Sequence, residues 1–296
     1  MRIVFASGKG GAGKTTVTAS LSALWPRPAA AADCDVEAPN LHLFLAPTLT
    51  DEQKVNLEIP LLDASKCTAC GKCKDICRYR AIAKFGQKIL LFPDMCHGCG
   101  GCFAVCREGA LSVGRRELGV LESGTYEGAQ GSMPFLMGRT RIGEAMTPPL
   151  LKELLNRLDL MVAEHGGDAL IDSPPGVSCP AMAVAGRADM VVLVAEPTPF
   201  GFHDFRLAHA AFSRTGAKLA VVMNRAGMEG NAEGDENLRQ WCAEHDIPLL
   251  AELPFDRAAA EQYAGGGLIA LTSPEWEARF RKLAQRILDE VEGSHA

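Results

Sequence analysis

The sequence predicts an α/β protein whose doubly wound, mostly parallel sheet is interrupted by a small inserted α+β module. Three observations carry this expectation. Short apolar runs that end in polar or Gly/Pro-rich turns alternate with segments of helical spacing, which is how buried parallel strands and their crossover helices read. The glycine-rich stretch GKGGAGKT, residues 8–15, stands between the first run and the first helical segment. From about Pro60 to Arg116 the alternation stops, and eight of the chain's eleven cysteines crowd between Cys67 and Cys106.

The expected strands are 2–6, 29–32, 169–171, 190–195 and 218–223, with helices over 14–24, 149–162 and 205–213. Residues 29–32 are four alanines, which favour helix. Pro26 and Pro28 just before them argue for a strand instead. Because the alternation resumes beyond the cysteines, residues 60–116 read as an insertion into a domain made of 1–59 and 117–296. Residues 117–148 are glycine-rich with scattered apolar pairs and suit either a hairpin or a mobile loop. In a sheet of this kind, ligands gather at the carboxyl ends of the strands.

Composition narrows the function classes. With 296 residues, 47% hydrophobic and 22% charged, the chain has the balance of a folded, soluble protein with room for one α/β core and a small module. Its net charge of -6 disfavours nucleic acid and suits a partner with a basic docking face. The first residues offer only a short apolar run before Ser7, and no stretch approaches membrane-spanning length, so a cytoplasmic protein is expected. In that setting, tightly spaced cysteines point to metal ligation and not to disulfides.

GKGGAGKT fits G-x-x-x-x-G-K-[ST] in the strand-to-helix context this motif requires. Its glycines let successive backbone N–H groups turn inward around phosphate oxygens. Lys14 is expected to reach the β and γ phosphates and the Thr15 hydroxyl to ligate magnesium. The expected nucleotide contacts are Gly8, Lys9, Gly10, Gly11, Ala12, Gly13, Lys14, Thr15 and Thr16. With a second lysine, Lys9, inside the loop, the chain resembles the deviant Walker A ATPases, the MinD/ParA/Mrp and nitrogenase iron-protein superfamily. That resemblance covers most of the chain outside the cysteine stretch.

It implies several roles. Lys9 would reach across a dimer to the partner's nucleotide. Asp35 in Asp33-Cys34-Asp35 would orient the attacking water in switch I, and Asp33 would hold a magnesium-bound water. Asp172 in LIDSPPG matches the Walker B aspartate, with 173–176 as switch II. Asn224 and Arg225 match the adenine-reading segment and Pro254 a second adenine contact, which implies ATP and not GTP. Each aspartate or asparagine taken alone is also an ordinary strand-end residue.

Cys67, Cys70, Cys73 and Cys77 form C-x-x-C-x-x-C-x-x-x-C, and Cys96, Cys99, Cys102 and Cys106 repeat that spacing 29 residues later. The repeat runs past the cysteines, since Ala81-Ile82 is echoed by Ala110-Leu111. Paired C-x-x-C units also suit zinc, but eight cysteines in this order resemble the bacterial two-cluster ferredoxin. There the fourth cysteine of each run ligates the other cluster. The implied sets are Cys67, Cys70, Cys73 and Cys106 for one 4Fe-4S cluster, and Cys96, Cys99, Cys102 and Cys77 for the other. Arg78 and Arg107 replace the proline that usually follows the fourth cysteine. His97 reads as an exposed loop residue and Cys242 as a buried apolar one. Cys179, in switch II, reads either as a thiol at a dimer interface or as a ligand to a subunit-bridging cluster.

The expected function is an ATP-binding and hydrolysing iron-sulfur protein whose nucleotide state gates electron transfer through two 4Fe-4S clusters. It would work as a homodimer, or as a heterodimer with a related ATPase, opposite a protein redox partner. The alternative is a Mrp-like carrier delivering clusters or metal to an acceptor. A third reading, MinD-like positioning at a membrane, needs a basic amphipathic C-terminal helix. From Pro274 the chain does carry a helical stripe of Trp276, Phe280, Leu283, Ile287 and Val291, with Ser273 as its N-cap. Its mixed charges argue for docking on the core and against a membrane anchor.

Overall fold

The computed structural model describes residues 1–293. Eleven strands are present among them: β1 Arg2–Ala6, β2 Ala29–Asp33, β3 Thr48–Leu62, β4 Ile82–Phe85, β5 Lys88–Leu91, β6 Leu111–Gly128, β7 Gly131–Thr140, β8 Asp168–Asp172, β9 Met190–Ala195, β10 Lys218–Ala226 and β11 Leu249–Pro254. Nine form one sheet in the order β11-β10-β9-β1-β8-β2-β7-β6-β3, and β4 and β5 form a separate antiparallel pair. The chain divides into two compact units. One comprises Met1–Glu52, Leu121–Arg139 and the chain from Leu151 onward; the other comprises Gln53–Val120 and Thr140–Leu150. Strands β3, β6 and β7 contribute residues to each.

In the first unit, β1 pairs in parallel with β8 and β9, β9 with β10, β10 with β11, and β2 with β8 and β7. All residues of β2, β8 and β9 are buried, as a sheet covered on both faces requires. The alanine run is therefore a strand, because central position in the sheet overrides alanine's helix preference. Strands β6 and β7 are joined by two residues, so the glycine-rich stretch beyond the cysteines is an antiparallel hairpin and not a loop. Helix Pro274–Glu292 starts on a Ser273 cap, whose Oγ accepts the Trp276 N–H at 3.3 Å. Its Trp276, Phe280, Leu283, Ile287 and Val291 lie in the main core, so this stripe docks there. Among the described residues no helix is long and apolar enough to cross one.

The second unit is built on a repeat of backbone geometry. Short helices Lys72–Ile76 and Gly101–Val105 occupy equivalent places, 29 residues apart. Left-handed residues recur at the same offset: Ala69 and Gly98, Gly71 and Gly100, Arg80 and Gly109. Hydrogen bonds exchange across the repeat, since Asp63 N donates to Ala110 O and Phe92 N to Ala81 O, both at 2.8 Å. Asp63 corresponds to Phe92, and Ala81 to Ala110. The two halves are thus related by an approximate two-fold axis. Few side chains are buried here, notably Ala69, Ala81, Ile82, Ile89 and Ala110, beside a small cluster of Leu57, Ile59 and Leu118.

Candidate nucleotide site and cysteine cavities

The glycine loop leaves the end of β1 and feeds helix Lys14–Leu24, all of whose residues are buried. Gly13 has φ +97°, and a Cβ there would stand 2.1 Å from Asn224 Nδ2; only glycine fits. Asn224 Nδ2 donates to Ala12 O at 2.9 Å. It is aimed by a break in the β10–β11 register, where Arg225 takes φ +61°. At Gly8 a Cβ would lie 2.1 Å from Asp204 O, so helix Pro199–Phe212 presses directly on the loop.

Two adjoining cavities open from this loop. One, of about 690 Å³, is lined by Gly10, Gly11, Gly13, Lys14, Thr15 and Thr16, and across from them by Asp35, Asn40, Pro175, Arg225 and Tyr263. The other, of about 540 Å³, shares Gly13, Thr16, Arg225 and Tyr263, and adds Asn224, Pro254, Phe255 and Trp276. The first is polar and loop-lined and suits phosphates; the second is apolar and suits a planar base. Tyr263, at their junction, stacks on Phe44 with ring centroids 4.5 Å apart.

Asp33 and Asp172 lie beneath the loop with no exposed surface. Asp172 accepts the Thr15 hydroxyl at 2.6 Å and the Thr18 hydroxyl at 3.2 Å, and stands 3.9 Å from Lys14 Nζ. Asp33 Oδ1 accepts the Asp35 N–H at 3.0 Å, and its Oδ2 accepts those of Asn40 and Leu41 at 2.8 and 2.9 Å. It anchors the loop that carries Asp35, with three of a carboxylate's roughly four acceptor sites taken. Burial and the charge of Asp172 push the Asp33 carboxyl up to about 7, against these three backbone donors. Burial raises Asp172 as well, against the opposing pull of Lys14 and the two threonines. The segment 173–176 is tied to the same end of the sheet, with Ser173 N on Phe5 O at 3.1 Å and Gly176 N on Ser7 O at 2.9 Å.

Lys9 points to neither cavity. Its Nζ lies 3.3 Å from Glu196 Oε2, and Glu196 Oε1 also holds Arg225 at 3.1 Å. Glu196, immediately after β9, was not expected from the sequence. The signal available was its place at the carboxyl end of a central parallel strand.

Residues 3–269 match the CobQ/CobB/MinD/ParA nucleotide binding domain. The chain belongs to that family. It is 34% identical over 234 residues to the uncharacterized protein MJ0578 of Methanocaldococcus jannaschii, covering 77% of this chain and 79% of that one. It is 25% identical over 269 residues to the uncharacterized protein MJ0579 of the same organism, covering 90% of each. In fold it is similar to the Pyrococcus furiosus cell division ATPase MinD, with a TM-score of 0.55, 21% identity, and 98% and 99% of the two chains covered. It is also similar to the Pyrococcus horikoshii septum site-determining protein MinD complexed with Mg-ADP, with a TM-score of 0.56, 21% identity, and 100% and 98% covered.

The cysteine unit of this family member holds two further cavities. One, of about 350 Å³, is lined by Cys67, Cys70, Cys73 and Cys106, and the other, of about 430 Å³, by Cys77, Cys96, Cys99 and Cys102. Each takes three cysteines from one run and the fourth from the other. At the first cysteine of each run a backbone N–H two residues on meets the sulfur, Ala69 N to Cys67 Sγ and Gly98 N to Cys96 Sγ, both at 3.4 Å. Burial pushes the Cys73 and Cys102 thiols up. Among the described residues no three His, Cys, Asp or Glu side chains converge on a point that could hold a single metal ion. His97 is exposed and stacks on Tyr79 with centroids 3.7 Å apart. Cys242 is buried, and Cys179 is exposed as the first residue of helix Cys179–Ala185.

Proposed function

We propose that this chain is an ATP-binding and hydrolysing iron-sulfur protein that couples nucleotide state to electron transfer through two 4Fe-4S clusters. The observation that carries the reading is the sorting of eight cysteines into two four-sulfur cavities, each drawing its fourth sulfur from the opposite run. All-cysteine donor sets in this order suit four-iron clusters, and backbone N–H groups directed at sulfur tune such groups. The proposed inserted module is ferredoxin-like, and its approximate two-fold axis supports that. Bound there, the clusters would supply one-electron transfer.

At the nucleotide, Lys14 and the inward N–H groups would hold the phosphates, and Thr15, with Asp33 and Asp172 acting through water, would hold magnesium. Asp33 positions the loop that presents Asp35 to the attacking water. Asn224 and Pro254 border the base. Lys9, held by Glu196 in the isolated chain, is the group that would cross a dimer. The exposure of Cys70 and Cys99 is the observation on which a cluster-carrier reading would rest.

Anaerobic purification with iron counting and EPR of the reduced protein tests the proposal. The expected result is about eight irons per chain. Cluster potentials should then differ between protein without nucleotide, with ADP and with a non-hydrolysable ATP analogue. Stoichiometric zinc without a visible chromophore would falsify the cluster assignment. Potentials identical in all three states would remove the coupling, and iron lost readily to a chelator would favour the carrier.

A further inference from the structure

The two halves of the cysteine repeat share their backbone geometry, so a departure from that symmetry has to be set by side chains. The loop leading into Cys67 is stapled by an anion: Asp63 Oδ1 accepts Ser65 N at 3.0 Å and Ser65 Oγ at 2.6 Å. The equivalent loop into Cys96 is stapled by a cation. Arg116 donates from Nη1 to Asp94 O at 3.2 Å and from Nη2 to Cys96 O at 3.1 Å. Among the described residues no side chain donates to the carbonyl of Ser65 or Cys67, the counterparts of Asp94 and Cys96.

Arg116 has a side chain only 7% exposed, and its Nη1 lies 3.1 Å from Glu144 Oε2, on a side chain 3% exposed. The other charges nearby are in solvent, including Glu58 on the wall of the Cys96 cavity and Lys72 and Glu108 on that of the Cys67 cavity. The Asp94 carboxylate, 85% exposed, is 3.8 Å from Arg116 and 3.6 Å from Arg141, and Arg141 is 3.8 Å from Glu144. At the other loop, Asp63 pairs with Lys66 at 3.2 Å, both exposed. Exposed charges are screened by solvent and salt, and a buried one much less so. Of the buried pair, Arg116 and not Glu144 is hydrogen-bonded to the peptide of a cysteine.

We infer that Arg116 is a positioning residue that fixes Cys96 and makes the two cysteine sets electrostatically unequal. The group held by Cys77, Cys96, Cys99 and Cys102 takes up an electron at the higher potential, and Glu144 moderates the effect. The inference rests on the proposed cluster ligation. Reduction adds one negative charge to a site, and a fixed cation bonded to the ligand's own peptide favours that charge.

The test uses the full-length protein, prepared anaerobically as wild type, Arg116→Gln, Arg116→Lys and Glu144→Gln. Iron is counted, and EPR-monitored titration follows reduction by dithionite through one-electron mediators. Wild type should show two resolved potentials. Arg116→Gln should lower the higher one by about 59 mV, a tenfold rise in its oxidised-to-reduced ratio for a one-electron couple, and leave the other in place. Arg116→Lys should restore most of the shift. Glu144→Gln, which leaves the arginine without its counter-charge, should move the same potential upward. A merely structural staple would not give opposite signs for the two partners. Shifts of the same sign, equal shifts in both clusters, or no shift would overturn the inference. If Arg116→Gln loses iron, the sign of the Glu144→Gln shift decides. Wild-type protein without iron would instead overturn the proposed function.

Discussion

The glycine loop of the nucleotide site hangs from β1, whose Ile3 to Ala6 are fully buried, and from a helix buried along its whole length, whereas the eight repeated cysteines sit on turns with few buried side chains nearby. Around the first, carboxylates, hydroxyls and backbone amides are already paired, and at Gly8 and Gly13 an added Cβ would stand only 2.1 Å from its neighbour. Around the second, β4 and β5 are four residues long, and Phe85, Leu90, Phe92 and Met95 are exposed. The nucleotide site is built by the main hydrophobic core and receives its ligand afterwards. The cysteine stretch has too little core to stand by itself, and a segment of this size is usually completed by metals or cross-links.

The largest expected effect comes from taking away the metal of the proposed clusters. Iron removal by chelation should make residues 60–116 cleavable at least about tenfold faster in limited proteolysis, because local opening no longer breaks metal-sulfur bonds. The Met1–Glu52 segment and the helices beyond Leu151 should keep their resistance and their ATP binding. Equal resistance of the iron-free and iron-loaded cysteine stretch would break the comparison. Lys14→Ala acts on the other side. It should weaken ATP binding about 100-fold, since a charge-assisted hydrogen bond to phosphate contributes about 1.5–3 kcal/mol, while iron content stays unchanged. Asp35→Ala should leave affinity near wild type and lower turnover about 100-fold, as removal of a group needed only in the transition state does. Normal hydrolysis by the Asp35 variant would return the role to another residue of that loop.

The same contrast explains what the sequence disclosed. Strands β1, β9 and β10 were legible because continuous apolar runs are a local signal, and the cysteine repeat because residue spacing is local too. Strand β3 was not. Its first seven residues are exposed, and only the alternation of Val55, Leu57 and Ile59 marks it. The side chains that organise the sites were hidden for a different reason. Glu196 meets Lys9 across 187 positions of sequence, and Arg116 meets Glu144 across 28; such pairings exist only once the chain is folded. Of the aromatics that line the apolar cavity, Trp276 is marked in the sequence only by its place in the C-terminal stripe and Tyr263 by nothing; both enter the cavity through the helices that carry them.

The smallest expected effect sharpens the comparison, because it asks how far the preformed site also depends on what it binds. Asp33 and Asp172 share a buried space with no exposed surface, and the Asp33 carboxyl is pushed up to about 7 from an ordinary value of 3.8. A carboxyl that holds its proton more tightly folded than unfolded stabilises the fold fully below about pH 4. That contribution fades as pH rises through about 7. The nucleotide-free protein should therefore lose stability between pH 5 and pH 8 relative to Asp33→Asn, which cannot ionise there. The difference in melting temperature should fall by a few degrees, in line with roughly 2–4 °C per kcal/mol for chains of about 150–250 residues. Magnesium with ADP should flatten the slope, since a bound cation reverses the preference of a nearby carboxyl for its neutral form. Melting curves of the two proteins at four pH values, with and without Mg-ADP, measure it. A difference that does not change with pH would mean that the three backbone donors to Asp33 outweigh burial, and that the nucleotide site is complete before its ligand arrives.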